Sequence, residues 1–164
     1  MTNSFMPEGF LPVSGGVVAS DVGGITTDII NLADAEMCYV VIHKYVAVGH
    51  ATTHTLTRGA NVTTCATAWS TTELTPIWSA NPTTATTAWT RESDAAGVYS
   101  QLVGLTGDLF IIFKVDPAML GNDYHTIKLE VAASGQANLT SIEFWVKPRY
   151  GMRVANRPVT EFLA

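Results

Sequence analysis

The stretch DLFIIFKVDPAMLGNDYHTIKLEVAASGQANLTSIEFWVKPRY, residues 108–150, constrains the fold more than any other, because its apolar side chains recur with a period of two. DLFIIFKV (108–115) is a near-continuous apolar run of strand length, suited to a central strand buried on both sides. In YHTIKLEVA, Ile127, Leu129 and Val131 fall on one face, and Thr126, Lys128 and Glu130 on the other. In LTSIEFWVKPRY, Ile142, Phe144 and Val146 face a core while Glu143, Trp145 and Lys147 face outward. Pro148 lacks an amide donor, so regular pairing is expected to stop there. SGQAN reads as a hairpin turn between the last two strands. DPAMLGN reads as one helical turn with Asp116 as N-cap, Pro117 at the first helical position, and Gly121 or Asn122 as the stop.

Upstream, β-branched runs at 25–32 and 37–48 favour strands. Gly49-His50 is expected to connect tightly into ATTHTLTR, where His54 and Leu56 face one way and the threonines the other. Gly59-Ala60-Asn61 is the next turn, and a strand over 62–69 ends near Trp69. Residues 70–97 hold three short candidate strands broken by Pro76, Pro82 and Gly97. No amphipathic helix of normal length occurs. Short strands at intervals of about 8–12 residues imply an all-β fold, an antiparallel β-sandwich of jelly-roll type over 25–150. Residues 1–24 read as an extended arm, in which Phe5, Phe10 and Leu11 are spaced by proline and glycine, and 151–164 as a C-terminal tail.

The chain has 164 residues, enough for one domain with a core of its own. Hydrophobic residues make up 47% and charged residues only 14%, which fits either a surface partly covered by other subunits or simply a Thr- and Ala-rich sandwich. A net charge of −5 argues against nucleic-acid binding, which needs Lys and Arg to displace counterions. No apolar run approaches the roughly 20 residues of a membrane helix, and the N-terminus lacks a secretory pattern, so synthesis in the cytoplasm is expected. Cys38 and Cys65 lack metal-like spacing and read as buried reduced thiols, with a disulfide between them as the alternative.

Catalytic constellations are missing from the sequence. His43, His50, His54 and His125 come without CxxC or HExxH, and the carboxylates come mostly singly. No serine stands in a GxSxG elbow. An enzyme is therefore not expected, nor a metal or cofactor. Among the tryptophans, Trp69 and Trp89 are expected to cap the ends of the core, whereas Trp145 points away from it, under a second layer or into an interface. Arg149, Arg153 and Arg157, interleaved with Tyr150, Met152, Val154 and Phe162, have an interface composition. Phe5, Phe10 and Leu11 complete the expected contact residues.

The order TDIINLADAEMCYVVIHKYVAVGHATTHTLT, then LFIIFKVDPAMLGNDYHTIKLEVAASGQANLTSIEFWVKPRY, resembles head-associated structural proteins of tailed bacteriophages, the decoration or cement proteins. The similar elements are an early I-x-L strand (Ile30, Leu32), a Val/Ile-rich hairpin, a V-D-x-x-x-L (Val115, Asp116, Leu120), a Y-x-x-I-K-L (Tyr124 to Leu129) and a closing Pro148-Arg149-Tyr150. The arm and much of 70–97 lie outside it. The resemblance implies a β-sandwich bound to the outer surface of a phage capsid through the major capsid protein. It would act as a homo-oligomer, with a trimer favoured, and strengthen the shell. The alternatives are a carbohydrate- or receptor-binding sandwich using exposed tryptophans, and a neck or tail subunit.

Overall fold

The computed structural model describes residues 10–70, 75–81, 86–92 and 96–149. Among them are thirteen strands, two short 3-10 turns and no α-helix. The first strands are short: β1 (Leu11–Ser14), β2 (Ala19–Ser20), β3 (Ile25–Thr26) and β4 (Ile30–Asn31). β5 (Ala35–Val46) is the longest, and β6 (Thr52–Gly59), β7 (Thr67–Ala68), β8 (Ile77–Asn81) and β9 (Thr86–Arg91) follow it. The chain ends its described part with β10 (Val98–Gln101), β11 (Gly107–Val115), β12 (Thr126–Val131) and β13 (Leu139–Pro148).

The strands form two antiparallel sheets. One runs β1–β13–β5–β11–β8–β9 with β2 beside β13; the other runs β10–β6–β12–β3, with β4 also on β12 and β7 on β6. Within them the orders β5–β11–β8–β9 and β4–β12–β6–β10 are those of a jelly roll, extended at one edge by β13 and β1. The core lies between the sheets. Val40, Ile42, Leu109, Ile111, Phe113, Phe144 and Val146 from the first sheet meet Leu56, Ile127 and Leu129 from the second, all buried. Asp116 caps its turn as expected: Oδ1 accepts from the Ala118 amide at 2.9 Å, and Leu120 enters the core.

Four expectations need correction. SGQAN is no hairpin, because β12 and β13 lie in opposite sheets; it is a crossing, as is the Gly49-His50 connection between β5 and β6. The arm of 1–24 shortens, since Leu11–Ser14 and Ala19–Ser20 both pair with β13, whose outer edge would otherwise leave its backbone groups unpaired. The strand over 62–69 is reduced to Thr67–Ala68, because the segment wraps the outside of β6. There Thr57 donates to the Cys65 carbonyl at 3.0 Å, and both Thr57 and Arg58 are buried, Arg58 donating to the Leu120 carbonyl at 2.7 Å and stacking over Tyr124. Trp69 is buried as expected, but Trp89 is 50% exposed and caps nothing in the core.

Candidate functional site

β11 is central but buried on one side only. Leu109, Ile111, Phe113 and Val115 point into the core, while Phe110, Ile112 and Lys114 on the other face stay half-buried. The register shows what surrounds them. Directly opposed residues of an antiparallel pair share a face. One rung on the outward side therefore reads Pro12, Trp145, Tyr39, Lys114 across β1, β13, β5 and β11. The next reads Glu143, Val41, Ile112, Trp78, Arg91 from β13 to β9.

These rungs line an open groove of about 720 Å³. Val41 and Ile112 lie at the middle of the sheet; Trp78 and Trp89 lie at the β8–β9 end, and Tyr39, Trp145 and Phe10 at the other. Phe10 packs on Tyr39 with centroids 5.7 Å apart, and Trp89 tilts over Phe110 at 6.4 Å. Phe110 in turn stacks on His43 at 4.4 Å and 7°, and His43 Nε2 lies 2.9 Å from Asp108 Oδ1. Charge is kept to the margin: Trp145 donates its indole N–H to Glu143 at 2.9 Å, and Lys147 pairs with Glu36 at 3.0 Å.

The groove lining is carbon apart from the Tyr39 hydroxyl and the indole nitrogens. The four histidines are dispersed: His43 is on the outer face, His54 in the core beside Tyr99, His50 exposed and His125 half-buried. Among the described residues no three His, Cys, Asp or Glu side chains gather as metal ligands.

Of the expected contact residues, Phe10 and Trp145 meet at the groove. Leu11 does not join them, because it opposes Val146 and so takes the core-facing side of β1. Arg149 is exposed, its amide donating to the Asp34 carbonyl at 2.8 Å. Phe5, Tyr150, Arg153, Arg157 and Phe162 lie outside the described residues. Trp78 stood among the tryptophans weighed for binding, whereas Tyr39, Val41 and Ile112 escaped the sequence reading. Alternation already places Tyr39 and Val41 opposite to inward Val40 and Ile42, but apolar residues on both faces of a strand read as burial on both sides.

No protein-family model and no curated protein matches this chain. Among solved structures it is similar to the CBM22-1–GH10 modules of Clostridium thermocellum endo-1,4-beta-D-xylanase 10B, solved with xylohexaose. Identity is 10% and the TM-score 0.32; the match covers 85% of this chain and 26% of that one, about a quarter of its length. A likeness at that TM-score transfers neither a function nor a ligand.

Proposed function

We propose that this chain is a structural virion subunit that docks on the outer surface of a bacteriophage capsid and cements the shell, with the aromatic groove as its contact face. The groove carries the reading: an exposed apolar channel across the sheet, rimmed by charge, is the anatomy of an interface. Trp and Tyr are the residues that dominate binding energy in such contacts. The resemblance to cement proteins supplies the partner, an apolar segment of the major capsid protein, and the sparse charge of the chain agrees with it.

A second reading, sugar binding, is favoured by the same indoles and by Tyr39. It fits the lining less well. Sugar hydroxyls leave water only for hydrogen-bond partners, whereas the middle of the groove is Val41 and Ile112, and the Trp145 N–H is already given to Glu143. Sedimentation with heads built from the cognate major capsid protein separates the two. Saturable binding that Trp78→Ser abolishes is the expected result. Retention on insoluble polysaccharide with none on heads would overturn the docking proposal.

A further inference from the structure

Far from the groove, the sandwich interior holds a lysine. Lys44 follows Cys38, Val40 and Ile42 in the inward register of β5, and its cross-strand neighbours Leu109 and Thr140 are both buried. Its partner is Asp21, which opens the 3-10 turn carrying the chain from β2 in one sheet toward β3 in the other. The Asp21 backbone is tied down: its amide donates to the Asn138 carbonyl, and its carbonyl accepts from the Gly24 and Ser134 amides. Both side chains are 0% exposed, and Lys44 Nζ lies 2.5 Å from Asp21 Oδ2.

We propose that Lys44 and Asp21 are joined by an intramolecular isopeptide bond that the folded chain forms on itself. An ammonium needs acceptors for three N–H groups, and among the described residues the protein presents it with one, Asp21 Oδ2. Removal from water disfavours the charged amine and lowers its pKa, with Asp21 acting in the opposite direction. A proton moved across the 2.5 Å contact leaves a neutral amine beside a neutral acid. The amine lone pair is then free to attack.

The surroundings suit that attack. The Ser134 hydroxyl donates to Asp21 Oδ1 at 2.7 Å, which polarises the carboxyl group and stabilises the oxyanion that develops there. Lys44 Nζ bonds to Asp21 Cγ. One amine proton joins the proton already on Oδ2, the Cγ–Oδ2 bond breaks, and one water leaves. No oxidant or cofactor is required. Fixed geometry inside the fold replaces the activation that amide formation in water needs. The product carries a single N–H where the ammonium had three, and Thr140 Oγ1 and Gln101 Oε1, buried acceptors without a partner among the described residues, stand in the same interior.

The test is the intact mass of the full chain, purified reduced and corrected for any loss of the initiator methionine. The expected mass is one water below that of the sequence. Digestion should yield a branched peptide joining the segments around Asp21 and Lys44, with no tryptic cleavage after Lys44. Lys44→Met should carry its full mass, and Asp21→Asn should lose ammonia instead of water. Wild-type protein at full sequence mass overturns the proposal even if both variants fail to fold. So does a water loss confined to one linear peptide, the mark of a succinimide.

Discussion

Trp145 on β13 and Tyr39 on β5 stand directly opposite each other on the outward side of the sheet, with Pro12 beyond Trp145 on the same rung. Their support comes from the backbone ladder rather than from the core, so truncating one should spare the fold. Trp145→Ala is expected to cost about 1 kcal/mol of stability or less. Binding to capsids should weaken by about 2 kcal/mol, on the order of 30-fold. Urea melts and a particle-binding isotherm on the same variant separate the two effects.

His54 carries an acid sensitivity. Burial, the largest cause, holds its pKa down at about 3, against 6.5 for the free side chain. Between these values the unfolded chain takes up a proton that the folded chain refuses. The associated stability is thus present above about pH 6.5 and lost as the pH falls, by up to about 1.4 kcal/mol per pH unit. Urea midpoints should drop between pH 6.5 and 4, and His54→Leu should flatten that part of the curve. Parallel curves for the two proteins would remove His54 from the explanation.

Gly97 sits at φ +67°, and a Cβ there would lie 2.5 Å from Trp69 Cδ1 and 3.0 Å from the Leu56 carbonyl oxygen. The Trp69 ring is itself buried. Gly97→Ala should therefore destabilise the protein by about 1–3 kcal/mol through backbone strain and overpacking together. Chemical denaturation reads the loss directly.

Cys38 and Cys65 are buried free thiols, and burial pushes the pKa of each upward. Thiolate is the reactive form, so both should resist a thiol reagent in the native protein and react promptly in denaturant. Rapid labelling of Cys38 in buffer alone would mean that β5 opens far more readily than its central place suggests.

What the sequence made legible was the face of each strand. Inward Ile127, Leu129, Val131, Ile142, Phe144 and Val146 all follow from alternation, and β13 ends at Pro148 with a register shift after Lys147. Partners were not legible, because a period of two records which side is buried and not which strand lies alongside. SGQAN has the composition of a hairpin and instead crosses between sheets. The groove was half legible. Trp145 announced itself by standing among Glu143 and Lys147, whereas Ile112 and Val41 looked like core because nothing local distinguishes a covered face from an exposed apolar one. Lys44 fell in the inward register of its strand, but Asp21, its partner in space, stood in what read as an arm.

β5 has a consequence for how the chain reaches this state. Its two neighbours in the sheet, β11 and β13, begin at Gly107 and Leu139, and β1 at the opposite end of the described chain pairs with β13 alone. Both pairings of β5 thus wait for residues synthesised much later than β5 itself. Loop closure over such separations is costly before any contact rewards it, which makes folding slow relative to helical domains of this size. A nascent chain halted before β13 leaves one edge of β5 unpaired, and one halted before β11 leaves both. Aggregation of C-terminal truncations is the hazard that this topology builds in.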